Sequence, residues 1–338
     1  MSDLTLDQAF ADFLTDAVAG SRLTRRTYRT ALNALAAFLR EEGVEPATAP
    51  VAELTVERAL RWGTWLMHQH VRPTGEAGLS KRTLHTYLSA LARLMRYLHA
   101  RRLLALPGPE LTRFHEGLRD IRRGQKPPQL LPHPPTPQQV EALIRAAREA
   151  EAPRDDLRAE LRRLRNIAIL ETLRSSGLRV GELVKMRRKD LRHEDQSAWI
   201  VGKGDKERQV FFDATAWRAV QAYLEARRAL DGASGRALGD LPVFARHDRK
   251  AGNRILPMST EAVETVLKEL AKAAGLEAAG ITPHSLRHYF ATRIYQATRD
   301  LAVTQDALGH STPTTTRVYA KLDDEAVREA HRLAFGGR

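Results

Sequence analysis

The sequence predicts a mainly α-helical protein of two domains, with one small β-hairpin in the second. Three observations lead there. Apolar residues recur at helical spacing through most of the chain, six of the 16 prolines crowd between Pro127 and Pro137, and a single pair of β-rich runs flanks a glycine turn. Proline-dense chain is neither helix interior nor central strand. The stretch therefore reads as an extended linker, residues 124–137, between an N-terminal helical domain, residues 1–123, and a second domain, residues 138–338.

Four helices are expected before the linker. The first carries Leu6, Phe10, Phe13 and Leu14, the second Tyr28, Leu32, Leu35 and Leu39, and the third Leu60, Trp65 and Leu66. In the fourth, Ser80 is the N-cap, and Leu84, Leu88, Leu91, Leu94, Met95 and Leu98 share one side. Arg82, His85, Arg93 and Arg96 share the other. That stripe is either a solvated basic face or a surface for nucleic acid, in which case Arg82, Arg93 and Arg96 are the candidate contacts.

Past the linker, Thr136-Pro137 reads as an N-cap followed by proline at the first helical position, with Val140, Leu143 and Ile144 opening the periodic pattern. The β-rich runs are Ser197–Val201 and Lys206–Phe212, around Gly202-Lys203-Gly204-Asp205. The segment Ala229–Arg254 is a longer connection rich in glycine and arginine.

The 338 residues hold 54 Lys+Arg against 41 Asp+Glu, a net charge of +13, which favours a polyanionic partner. Residues 1–126 contribute +6 of it, so both domains can meet the same polyanion. Forty-four of the basic residues are arginine, a bias that phosphate recognition and a GC-rich genome explain equally well. No cysteine is present, which excludes disulfide scaffolds, thiolate metal sites and cysteine nucleophiles. Met1-Ser2-Asp3-Leu4 does not begin a secretion signal, and no run of about 18 apolar residues occurs, so a soluble cytoplasmic protein without membrane contact is expected.

Four segments carry chemistry. In Ser176-Gly177-Leu178-Arg179-Val180-Gly181-Glu182, a glycine turn leads into a helix beside an arginine, a seat for phosphate as well as an ordinary surface position. Lys203, between two glycines, can approach a nucleic-acid backbone closely, although hairpin turns favour glycine regardless. The P-loop pattern is absent, so no nucleotide is expected. In Thr282-Pro283-His284-Ser285-Leu286-Arg287-His288, His284 and Arg287 stand one turn apart at a helix start. His284 and His288 have zinc-ligand spacing but lack the His-Glu-x-x-His pattern, and no metal is expected. In the fourth segment, Gly309 reads as a helix C-cap before His310, and Tyr319 follows nine residues later. Each segment alone has a plain structural explanation.

Together they resemble the tyrosine recombinase (phage integrase) family, most closely its Xer-type site-specific recombinases. Arg179, Lys203, His284, Arg287, His310 and Tyr319 stand in family order over about 140 residues, as first arginine, hairpin lysine, His-x-x-Arg pair, second histidine and nucleophile. Glu182 matches the acidic residue that braces the site. The resemblance implies a SAM-like helical core-binding domain and the tyrosine recombinase catalytic fold, and it covers nearly the whole chain. Where Xer-type members carry glycines after the His-x-x-Arg helix, this chain has Gln296-Ala297-Thr298-Arg299-Asp300.

The residue types suit one reaction, attack on a DNA phosphodiester. A phenol of pKa about 10 is about a thousandth ionised at pH 7, so Tyr319 needs deprotonation or a strongly cationic setting. Arg179 and Arg287 match phosphate with planar forks, and His310 can add a hydrogen bond. His284 is the candidate base or acid at the nucleophile and Lys203 the acid for the 5′ oxygen. The expected product is a 3′-phosphotyrosyl link that rejoins without cofactor. The resemblance further implies duplex DNA as partner and a homotetramer, or a heterotetramer with a paralogue, on two DNA sites. A C-terminal segment bearing Leu322, Val327, Leu333 and Phe335 would enter the neighbouring protomer, and strand exchange would pass through a Holliday junction. A nucleoid-associated role in chromosome dimer resolution, hence in chromosome partition and cell division, is expected. No arm-binding domain is expected ahead of Leu6, which disfavours the most elaborate phage integrases. The rivals are a mobile-element integrase, a type IB topoisomerase, and a non-cleaving DNA-binding protein of the same fold.

Overall fold

The structure, a computed structural model, describes residues 4–18, 22–70, 77–125, 133–153, 155–202 and 207–309. The chain divides into two compact units, Met1–Gln129 and Leu130–Arg338.

The first unit is helical: α1 (Leu6–Asp16), α2 (Arg22–Glu41), α3 (Val56–His68), α4 (Lys81–Ala100) and α5 (Gly108–Gly124). Ser80 caps α4 by accepting from the Thr83 N–H at 3.2 Å. Leu84, Leu88, Leu91, Leu94, Met95 and Leu98 are all buried, each contributing about 2 kcal/mol of transfer free energy. Of the expected core residues, Leu14, Tyr28 and Leu60 are only partly buried. The fifth helix is a correction to the four expected. Its apolar residues are sparse, and it starts at Gly108-Pro109 with no side-chain cap, so the usual start signal is missing. Phe114 and Leu118 nevertheless bury against the common core.

The second unit comprises α6 (Pro137–Glu149), α7 (Leu157–Ser176), α8 (Val180–Leu183), β1 (Leu191–Arg192), β2 (Ser197–Val201), β3 (Glu207–Phe211), α9 (Ala214–Ala226), α10 (Arg228–Gly232), α11 (Thr260–Ala273), α12 (Pro283–Thr298) and α13 (Leu301–Leu308). Thr136 and Gln139 form a reciprocal capping box under Pro137 at the head of α6. The two expected runs pair antiparallel with Ala198 opposite Val210, and β1 adds a third strand. At two residues, β1 is too short for any alternation to reveal it.

Helix α7 is central, packing on α6, α9 and α12. Leu161, Ile169, Leu170 and Leu173 are buried around it, and so is Glu171, held by Arg148 at 2.9 Å and Arg174 at 2.9 Å. The 229–254 connection is folded, not slack. Arg227 and Asp231, fully buried, pair at 2.8 Å, and Arg227 donates to the Pro242 and Val243 carbonyls. The Tyr223 hydroxyl joins Arg227 at 3.1 Å to His247 Nε2 at 2.8 Å, and Arg165 of α7 donates to the Ala245 carbonyl. Hydrogen-bonded buried polar groups of this kind hold an irregular segment as firmly as apolar packing does.

Candidate active site

Three of the six sequence-predicted catalytic residues lie in the described part, and all three converge. Gly177 ends α7 in the left-handed conformation at φ 60°. A Cβ there would come within 2.3 Å of the Phe290 ring of α12, so only glycine lets the chain turn this close to that helix. Two residues on, Arg179 opens α8. This helix is a single turn, so the guanidinium rather than a helix dipole is the positive feature here.

Helix α12 supplies the opposite wall. Thr282 and Ser285 form its capping box, which sets His284, Arg287 and His288 in the first two turns. Arg287 is buried, and its guanidinium donates to the Gly177 carbonyl and, at 2.6 Å, to the Leu308 carbonyl. It thereby ties together the turn before Arg179 and the turn before His310.

Glu182 is 8% exposed and accepts from three sides. The Arg179 backbone N–H donates at 2.8 Å and its Nη1 at 2.9 Å, while Arg208 of β3 donates through Nη1 at 3.0 Å and Nη2 at 2.8 Å. Burial pushes this carboxyl up, but the bonds from Arg208 and Arg179 outweigh it and bring it down to about 2. Glu182 is therefore ionised at neutral pH, and two cations share it.

His284 Nε2 and His288 Nε2 are 3.0 Å apart. One ring donates and the other accepts, so the two hold opposite tautomers. Burial, then the charges of Arg287 and Arg179, lower the pKa of His284; burial, His284 and Arg287 lower that of His288 to about 4. Both imidazoles are neutral at pH 7, the form that can pass a proton.

Lys203, His310, Tyr319 and the C-terminal segment fall outside the described residues. Gly309, adjoining His310, is the left-handed C-cap of α13 at φ 61°, as expected. In the preceding turn Arg299 adopts φ 56° where glycines were the family expectation, and Asp300 caps α13 through the Ala302 and Val303 N–H groups. Sequence reasoning missed Arg208 and the pairing of His288. His288 was visible as the residue after Arg287; Arg208 had no signal beyond its place in a strand.

In the first unit Arg82, Arg93 and Arg96 are exposed on α4. Arg93 bends back to donate to the Ala17 carbonyl. Arg96 instead lines a groove between α4 and α5 with His85, His115, Arg119, Arg122 and Arg123. Among the described residues no three His, Asp or Glu side chains gather as metal ligands, and no helix is long and apolar enough to cross a membrane.

Two arginines and a histidine thus meet at adjoining turns of a helical fold that carries a small antiparallel sheet. The chain belongs to the phage integrase family, whose profile matches residues 136–326, and within it to the Xer-type tyrosine recombinases, site-specific enzymes that break and rejoin DNA. It is 34% identical over 301 residues to the tyrosine recombinase XerD of Rhizobium meliloti strain 1021, covering 87% of this chain and 92% of that protein. XerD of Mycobacterium tuberculosis strain H37Rv is 34% identical over 235 residues, 68% of this chain and 71% of that protein. In fold the chain is similar to the crystal structure of the XerH site-specific recombinase bound to a palindromic difH substrate in a post-cleavage complex. The TM-score is 0.67 at 20% identity, over 97% of this chain and 84% of that one.

Proposed function

We propose that this chain cleaves and rejoins duplex DNA with Tyr319 as nucleophile and Arg179, Lys203, His284, Arg287 and His310 as its catalytic partners. The Tyr319 phenol oxygen attacks the scissile phosphorus as its proton passes toward His284, and the bond to the 5′ oxygen breaks as Lys203 protonates it. Arg179 and Arg287 neutralise the non-bridging oxygens, with a hydrogen bond from His310. The 3′-phosphotyrosyl link retains the energy of the broken bond, so attack by a 5′ hydroxyl reverses the step and joins a new partner.

One observation carries the reading: Arg287, on α12 with His284, donates to the Gly177 carbonyl two residues before Arg179, and the charges of both arginines act on His284, although Arg179 precedes that helix by about a hundred residues. Phosphate binding and proton transfer are thus available at one place. Residues 1–123 act as a DNA-binding core domain, in which Arg82 and Arg96 meet phosphates and Arg93, whose guanidinium donates to the Ala17 carbonyl, contributes less, and residues 138–338 as the catalytic domain, joined by the linker at 124–137. Four protomers, identical or paired with a paralogue, assemble on two sites in the nucleoid. Relatedness to XerD proteins favours chromosome dimer resolution over integration of a mobile element.

The test is a nicked suicide duplex built on the site that the protein itself protects in footprinting. Wild-type protein should become covalently joined to the 3′ end, and Tyr319→Phe should bind the duplex within about twofold of wild type while forming no adduct, as loss of the nucleophile alone requires. An adduct formed by Tyr319→Phe overturns the assignment of the nucleophile, and no adduct with wild-type protein overturns the recombinase reading.

A further inference from the structure

We infer that Arg208 is a positioning residue of the active site, holding Glu182 so that Arg179 remains available to the scissile phosphate and fixing the Gly309 turn that precedes His310 in the chain. The inference rests on the recombinase reading above and deepens it.

Arg208 belongs to β3, five residues after Lys203, and its side chain is 13% exposed. Its fork grips both oxygens of Glu182, at 3.0 and 2.8 Å, the bidentate geometry that a guanidinium provides and an ammonium does not. Glu182 Oε1 also accepts from Arg179 Nη1. A carboxylate with Arg179 as its only cation would bind it as a closed pair, net neutral, and oppose its turning to a phosphate. With two guanidinium groups on one carboxylate the cluster is net positive, and the tighter, bidentate claim on Glu182 belongs to Arg208.

The same side chain has a second contact. A Cβ placed on Gly309 would lie 2.7 Å from Arg208 Cδ and 3.0 Å from its Nε, so the backbone next to His310 rests directly on the arginine stem. Arg208 Nε is buried there without a hydrogen-bond partner among the described residues. One side chain thus spans the segment of Arg179 and Glu182, the hairpin of Lys203, and the turn before His310. Arg287 joins the Gly177 and Leu308 turns from the other side, so the two arginines brace the site from opposite walls.

A brace of this sort differs from a mere structural contact because its loss is repaired by removing the charge it restrains. Arg208→Met should slow adduct formation on the suicide duplex by about 10- to 100-fold, the range for removing a partner that orients a reacting group, with DNA affinity and circular dichroism close to wild type. Adding Glu182→Gln should restore about tenfold of that rate, because a neutral amide no longer captures Arg179. Arg208→Lys, which keeps the charge but not the fork, should fall between wild type and Arg208→Met, and it carries the comparison if the methionine variant does not fold. Wild-type rates in Arg208→Met or Arg208→Lys overturn the inference, as does a double variant no faster than Arg208→Met. Those results leave the recombinase reading standing, whereas absence of an adduct with wild-type protein removes both.

Discussion

His284 and His288 stand one helical turn apart on α12, and their Nε2 atoms share a single hydrogen bond. Such a bond survives only while at least one ring keeps a lone pair, so the pair resists full protonation. Burial is the leading cause that depresses His284, with Arg287 and Arg179 adding to it, and the His288 ring supplies part of the cover. Replacing His288 by alanine should therefore raise the pKa of His284 toward the ordinary 6.5, measured by NMR titration of labelled histidine in the full chain. No upward movement would mean that neighbours other than His288 keep His284 buried. The His-x-x-Arg spacing was legible in the sequence, since residues three apart on a helix face one way. The coupling of the two rings was not, because whether their Nε2 atoms come within hydrogen-bond distance depends on side-chain torsions that spacing does not specify.

At the scale of elements, the decisive case is the glycine- and arginine-rich segment 229–254, to which the sequence assigned no role. It is fastened by the buried Arg227, Asp231, Tyr223 and His247. Burial, then the charges of Arg165, Arg227 and Arg162, lower the pKa of His247 to about 3. In the unfolded chain the same imidazole titrates near 6.5, so as pH falls from about 6.5 to about 3 the unfolded state takes up a proton that the folded state refuses. Stability should then be lost with falling pH at up to about 1.4 kcal/mol per pH unit from this group. Urea unfolding of wild type and His247→Gln across that range checks it, and equal slopes for the two proteins would rule the histidine out. By contrast the caps at Ser80, Thr136 and Gly309 were readable in advance, because each involves neighbours within four residues. Helix α5 escaped for the complementary reason. Its Leu111, Phe114, Leu118 and Ile121 keep helical spacing, but with a mean of so little apolar residue per turn the pattern gains meaning only beside α3 and α4.

For the whole molecule, charge is the property with a measurable consequence. The net +13 is shared by both units, and binding of DNA should weaken with salt at about 0.9 in log–log slope per phosphate neutralised. Arg82→Ala or Arg96→Ala should each flatten that slope by about 0.9, whereas Arg93→Ala should change it less, because its guanidinium is already engaged by the Ala17 carbonyl. Equal effects at all three positions would place Arg93 on the DNA as well. The arginine bias in composition does not make this distinction; the direction of each side chain does.

The amino-acid sequence by itself determined the helical class, the caps, the hairpin runs and the six residues whose order marks the family. All of these rest on local periodicity, on the stereochemistry of proline and glycine, or on residue identity along the chain. Tertiary structure alone decided that Arg208 reaches Glu182 across 26 positions, that Arg287 joins two turns 110 and 21 positions away, and that the glycine- and arginine-rich connection is pinned by a buried ion pair. The physical reason is common to the three. A guanidinium is drawn to whichever carboxylate or carbonyl the packing leaves within reach in a desolvated place, and that neighbour is set by how helices stack, not by what stands next in the chain.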